Sequence, residues 1–272
     1  MLVRTLLIAA LFLESGLSLA QEHAPHSTTE APQEQERPVP EAGGCTHLEW
    51  GYLGPSGPEH WAELSRAYRI CASGEQESPI DLKDAVPARL GKLTVDWRPI
   101  PLRALNNGHT VQVDAPAGSA LTMAGKRYEL QQFHFHHPSE HLLNGRRFPL
   151  EVHFVHRAAD GTLGVLGVMV ELGQTNPVLQ AVLDATPREK GATRARDGDQ
   201  IDPRGLLPGG LSEFFRYEGS LTTPPCTENV DWVLLRQPIQ ASPKQIEDFE
   251  GFYAANARPI QALNRRFLLE SQ

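Results

Sequence analysis

The stretch Gln131-Gln132-Phe133-His134-Phe135-His136-His137-Pro138-Ser139-Glu140-His141 decides how this chain is read. From Gln132 to His136 polar and aromatic residues alternate, the pattern of a half-buried strand whose side chains fall on opposite faces. Gln132, His134 and His136 then share one face. Phe133 and Phe135 share the other, where they can pack into a core. Two imidazoles two residues apart on a strand lie close enough to hold one ion. Pro138 ends the run, because it has no N–H to give to a ladder.

Working outward, residues 151–156 (EVHFVH) form a second strand, and Glu151, His153 and Val155 share one of its faces. Asn144-Gly145 between the two runs is a turn signal, so the strands can lie near each other. His153 then offers a third nitrogen. Three protein ligands and an open fourth position is the arrangement of a catalytic zinc site, whereas a structural zinc is closed by four ligands, usually with Cys. Imidazole also suits copper and nickel. The histidines alone therefore leave the metal open, and with it a role as a metal buffer.

Further strand signals stand at residues 92–97, 110–114 and 121–123, in the run that starts at Tyr128, and at 164–172 and 230–235. Gly and Pro, 23 and 22 of them, crowd the intervals. Helix signals are few: residues 61–68, then Asn176-Pro177 leading into 178–183, and Ser242-Pro243 leading into 244–255, each of the last two with a capping residue before Pro. The fold class is α+β and sheet-dominated, with peripheral short helices.

The ends bound the rest. Arg4, the apolar run 6–13 and Ser18-Leu19-Ala20 make residues 1–20 a secretory signal peptide. The run is too short for a stable membrane span, which needs about 20 residues. Residues 21–45 hold Pro, Glu, Gln and Ser but no aromatic residue, and read as a disordered acidic, Pro-rich spacer. Residues 46–272 remain as one domain. A net charge of −8 argues against a nucleic-acid partner. Three cysteines, Cys45, Cys71 and Cys226, predict one bridge and one leftover thiol in an exported protein, with three pairings open.

Several segments together resemble the α-class carbonic anhydrases across nearly all of the domain. They are Gln76-Glu77-Ser78-Pro79-Ile80, Asn106-Asn107-Gly108-His109, the stretch from Gln132 to His141, that from Glu151 to His156, and Gly219-Ser220-Leu221-Thr222-Thr223-Pro224-Pro225. Trp50-Gly51-Tyr52 and Asn256-Ala257-Arg258-Pro259 extend the match towards both ends. The form H-H-P-S-E-H looks more like bacterial members.

The resemblance implies a single domain around a large, mostly antiparallel twisted sheet of about ten strands. It implies a Zn2+ enzyme that reversibly hydrates carbon dioxide to bicarbonate and a proton through a zinc-bound hydroxide, with weak side esterase activity. His134, His136 and His153 match the zinc ligands, and Gln132, Glu151 and Asn256 match the groups that orient them. Thr222 and Glu140 match the pair that aims the nucleophile, and His109 matches the proton shuttle. Tyr52, Asn107 and Gln112 match residues ordering a water chain; the family often has Asn at the Gln112 position. Val155, Val165, Leu221, Val230 and Trp232 match the apolar substrate wall, with Thr223 beside bicarbonate. His137, His141 and His156 take structural roles. Bacterial relatives imply a Cys71–Cys226 bridge, a periplasmic location and, by analogy, a homodimer. Members without activity have lost ligand histidines, and all three stand here. The H-E-x-x-H of many zinc peptidases is missing.

Overall fold

The computed structural model describes residues 49–272; of Arg196 and Asp197 it describes the backbone alone. The predicted signal peptide, the spacer, the domain boundary near residue 46 and Cys45 lie outside the described residues.

Among the described residues, twelve strands join in one sheet. Ten follow one path: Thr193–Ile201, Ile100–Asn106, Val111–Asp114, Lys126–His136, Leu150–Ala158, Leu163–Leu172, Glu228–Ala241, Phe214–Ser220, Leu269–Ser271 and Val86–Ala88. Ala120–Met123 also pairs with Lys126–His136, and Thr94–Asp96 lies beyond it. Two pairings are parallel, Leu163–Leu172 with Glu228–Ala241 and Leu269–Ser271 with Val86–Ala88; the others are antiparallel. Asp81–Leu82 and Leu142–Leu143 form a separate parallel pair. The sheet is thus slightly larger than the expected ten strands. Ile100–Asn106, Thr193–Ile201 and Phe214–Ser220 are strands that the alternation signals did not single out.

Register brings the histidines together. His134 lies opposite His153, and His136 opposite Glu151. A bulge makes this possible, because the pairing shifts between Leu130 and Gln132. Before the bulge the even-numbered Tyr128 and Leu130 face the core, and after it the odd-numbered Phe133 and Phe135 do. The exposed extra residue, Gln131, absorbs the change of parity. Without it the alternation would send His134 and His136 into the core, since a one-residue slip exchanges the two faces.

Two helices start at their capping signals, the first running past the expected residue 183 and the second ending early. Pro177–Ala185 starts at Asn176, whose side chain accepts from the Val178 and Leu179 N–H groups. Pro243–Glu250 starts from a capping box between Ser242 and Gln245. It stops at Gly251, short of the expected residue 255. Gln245 also bonds both the N–H and the carbonyl of Asn176, so the two caps hold each other. The predicted helix at 61–68 is broken: Trp61–Leu64 is helical, Ser65 is extended, and Arg66–Tyr68 is a 3-10 turn. Ser65 caps that turn with its own side chain, which competes with continued helix.

Candidate metal centre

His134, His136 and His153 place one ligand atom each within 4.8 Å of one another. His136 and His153 are buried, while His134 is half-buried. One nitrogen of each ring is already engaged. His134 Nδ1 donates to Gln132 Oε1 (2.8 Å), His136 Nδ1 to the Asn256 carbonyl (2.7 Å), and His153 Nε2 to Glu151 Oε1 (2.8 Å). Each of these oxygens can only accept, so the engaged nitrogens carry the protons. His134 Nε2, His136 Nε2 and His153 Nδ1 are left with lone pairs. Burial keeps the rings neutral: it pushes His136 down to about 4, His134 well below the ordinary value, and His153 down as well. His136 Nε2 is buried with no hydrogen-bond partner among the described residues. Three neutral imidazoles aimed at one point, one of them orphaned, fit a dication of the zinc type and can hold it.

A second group, His141, Glu151 and His153, also lies close together. Its carboxylate is spent. Glu151 Oε1 accepts from His141 Nδ1 and His153 Nε2, and Oε2 accepts from the Glu140 and His141 N–H groups. Burial would raise this carboxyl, but the electrostatic pull and hydrogen bonds of His141 and His153 hold it well below the usual range. His141 Nε2 bonds Tyr217 Oη at 2.7 Å. The group is a hub that orients the His153 ring and offers no lone pair of its own.

Glu140 is buried beside the cluster. Its Oε1 accepts from the Arg258 N–H at 2.8 Å. Its Oε2 has no hydrogen-bond partner of good geometry among the described residues and stands 3.5 Å from His136 Nε2 and 3.9 Å from His153 Nδ1. Burial pushes this carboxyl up to about 7, against the opposing pull of His153, the Arg258 N–H and the Thr222 side chain. Thr222 is buried too, on the segment closed by the Cys71–Cys226 disulfide. Thr223 is half-buried and accepts the Cys226 N–H through its carbonyl.

Val165, Val230 and Trp232 belong to one apolar cluster, with Val155 and Leu221 packed against it. The Trp232 ring lies 4.9 Å from that of His153. His109 is half-buried and stacks on Trp50, with ring centroids 3.6 Å apart and planes within 8°. Burial lowers its pKa; Glu49 acts against this and Lys190 with it. Burial, with Glu140 nearby, raises the Tyr52 phenol well above its usual range. Asn107 Nδ2 donates to Gln112 Oε1 at 3.2 Å.

Asn256 does more than its backbone role. Its side chain donates to the carbonyls of His109 and Phe135 and accepts from the His137 N–H. Of the histidines set aside, His137 bonds the Ala254 carbonyl and Glu250 away from the cluster. His156 faces the opposite core.

Two residues near the site carry more than their sequence suggested. Trp50 is the platform for His109. Arg258, buried, pairs with Glu77 at 2.6 Å and donates to the Ser78 and Cys71 carbonyls. Its side chain thereby ties the disulfide to the segment whose N–H holds Glu140. The Trp50-Gly51-Tyr52 and Asn256-Ala257-Arg258-Pro259 segments marked both places, but only partners distant in sequence reveal the roles.

The family model described as eukaryotic-type carbonic anhydrase matches residues 56–272. A carbonic anhydrase of Nostoc sp. is 44% identical over 229 residues, covering 82% of this chain and 86% of that protein. One from Neisseria gonorrhoeae is 40% identical over 226 residues, covering 82% and 88%. The solved structure of α-carbonic anhydrase from Thermovibrio ammonificans, in complex with the inhibitor sulfanilamide, superposes with a TM-score of 0.78 at 43% identity, covering 81% of this chain and 98% of that one.

Proposed function

Since the chain belongs to the eukaryotic-type carbonic anhydrase family, and as a carbonic anhydrase hydrates carbon dioxide, we propose that it does so with one zinc ion held by His134 Nε2, His136 Nε2 and His153 Nδ1. A bound zinc supplies a Lewis acid that makes water a nucleophile near neutral pH, chemistry for which carbonic anhydrases are themselves the standard example. Everything else is the work of the chain. Gln132, Glu151 and the Asn256 carbonyl fix the tautomer and tilt of the three rings, so no ring reorganises during turnover. Glu140, as carboxylate, accepts a hydrogen bond from the Thr222 hydroxyl. Thr222 can then offer only a lone pair to the attacking oxygen, which selects one orientation of it.

Val155, Val165, Leu221, Val230 and Trp232 hold a small uncharged substrate and exclude competing water. Thr223 stands beside the product. Carbon dioxide and water give bicarbonate and one proton. That proton leaves by His109, which accepts it on one nitrogen and passes it to buffer; its lowered pKa favours release. Tyr52, Asn107 and Gln112 line the path between. The same nucleophile attacks activated esters slowly, which gives a weak side esterase. The disulfide suits export to an oxidising compartment, here the bacterial periplasm, after removal of residues 1–20. Residues 21–45 serve as a spacer before a 46–272 catalytic domain, and the domain assembles as a homodimer.

The convergence of three lone pairs, each fixed by a hydrogen bond on the far side of its ring, carries this reading. The test counts zinc per chain and follows carbon dioxide hydration by stopped flow. One zinc and fast hydration are expected. His109→Ala is expected to lower kcat in dilute buffer by about tenfold or more, less than the full worth of positioned proton transfer because residual buffer takes part of the load, with recovery on adding imidazole. A normal rate in dilute buffer removes His109 from the mechanism.

A further inference from the structure

The strand Val111–Asp114 runs beside the ligand strand, with Gln112 opposite His134 and Asp114 opposite Gln132. Its side chains form a one-way chain of hydrogen bonds. Gln112 Nε2 donates to Asp114 Oδ1 at 2.7 Å. Asn107 Nδ2 donates to Gln112 Oε1 at 3.2 Å. Asn107 Oδ1 accepts from the N–H groups of His109 (2.9 Å) and Thr110 (2.8 Å).

Amide oxygen and nitrogen are ordinarily hard to tell apart, and the network must assign them. Here both ends dictate the assignment. A carboxylate only accepts, so Gln112 must turn its NH2 to Asp114 and its oxygen to Asn107. Two backbone N–H groups only donate, so Asn107 must turn its oxygen to His109 and Thr110 and its NH2 to Gln112. The two demands agree, and neither amide can flip without breaking a bond.

We propose that Asp114 is a positioning residue for the proton exit: its carboxylate fixes the Gln112 amide, which fixes that of Asn107, which holds the backbone of His109. Asp114 touches neither substrate nor the reacting atoms. It sets which polar atoms the wall between the ligand strand and His109 presents to water. It also explains how Gln fills a position where the family often has Asn: the longer side chain spans the gap between Asn107 and Asp114. Trp50 holds the shuttle's ring, and this chain holds its backbone. The inference rests on the reading of His109 as shuttle.

The test compares Asp114→Ala, Asp114→Asn, Gln112→Ala and the Asp114→Ala/Gln112→Ala pair by stopped flow in dilute buffer. The bond to Asp114 is exposed, so its loss is expected to lower kcat about two- to fivefold, with kcat/KM held, since net hydrogen bonds to charged groups at a wet surface are modest. The conservative Asp114→Asn variant keeps an acceptor oxygen and retains the rate. Added imidazole restores the Ala variant. Asp114→Ala adds nothing once Gln112 is Ala. Hydrogen exchange of the Gln112 side-chain amide, followed by NMR with and without zinc, is expected to quicken in Asp114→Ala. An equal fall in kcat and kcat/KM, an undiminished effect in the Gln112→Ala background, or unchanged amide exchange overturns the proposal. A normal kcat for His109→Ala overturns the shuttle reading itself, a failure distinct from a broken link between Asp114 and Gln112, which amide exchange reports directly.

Discussion

His153 and His156 stand three residues apart on one strand, both fully buried and both pushed towards the neutral form by burial. They differ in what surrounds their nitrogens. His153 Nε2 donates to Glu151, and its Nδ1 looks to where His134 and His136 converge. His156 faces the core that holds Val152 and Phe154, and among the described residues neither of its nitrogens makes a well-formed hydrogen bond, although the Phe154 and Gly164 carbonyls lie near. Its ring lies 5.6 Å from that of Trp97, whose Nε1 likewise has no partner among the described residues. Burial and a depressed pKa are common to both residues, so neither identifies a site. The distinction is convergence. An orphan lone pair that shares its focus with two others is a binding position, and one facing hydrocarbon is a cost of folding.

The strongest way to break this comparison is to remove one member of the convergent set. His134→Ala leaves two nitrogens, too few for the proposed site. Hydration is expected to fall by more than the about 100-fold typical of changes around a ligand, with zinc lost from the chain. Bound zinc measured by elemental analysis and stopped-flow rates check this together. Activity that survives loss of His134 rejects the site.

Glu151 tests the next layer. It accepts four N–H groups, two of them from imidazole rings, and Gln at this position can accept on only one atom. Glu151→Gln is expected to weaken zinc by about 10–100-fold, as for other outer ligand partners. Competition with a chelator measures it. An unchanged affinity means that the tilt of His153 is set by packing against Trp232 instead.

The sequence made some of this legible and hid the rest for physical reasons. Alternation from Gln132 to His136 and from Glu151 to Val155 is local, and it sorted His134, His136 and His153 from His137 and His156 correctly by face. The bulge at Gln131 was not legible, because a bulge is a relation between two strands. Yet it lets one strand supply core from its even positions and then from its odd ones. The strand Ile100–Asn106 was missed although its burial alternates, because Pro101 and Arg103 interrupt the usual β-forming residues. Arg258 stands out in the sequence only as part of the segment Asn256-Ala257-Arg258-Pro259. Its partners, Glu77 and Cys71, are nearly two hundred residues away, and such pairs leave no periodic trace. The asparagine and glutamine chain behind His109 was likewise invisible: which atom of an amide faces which neighbour is settled only in three dimensions.

The smallest and sharpest test replaces the other histidine. His156→Phe removes two unpartnered nitrogens from an apolar core, and such an exchange is expected to be neutral or stabilising by about 1 kcal/mol, with hydration unaffected. The pH dependence discriminates further. Burial depresses His156 to about 3 in the folded chain, although the Phe154 and Gly164 carbonyls pull the other way, against 6.5 as the ordinary value. Between those values the unfolded chain binds the proton and the folded chain does not, so wild-type stability falls as pH falls. The Phe variant lacks that loss. Its advantage over wild type is expected to widen by about 1.4 kcal/mol per pH unit below 6.5, read from denaturant unfolding of both proteins at each pH. Because the difference between two chains is taken, acid effects on the metal ligands cancel. Parallel curves show instead that His156 has found a partner, such as a buried water shared with Trp97, and that the two histidines of this strand are more alike than their surroundings suggest.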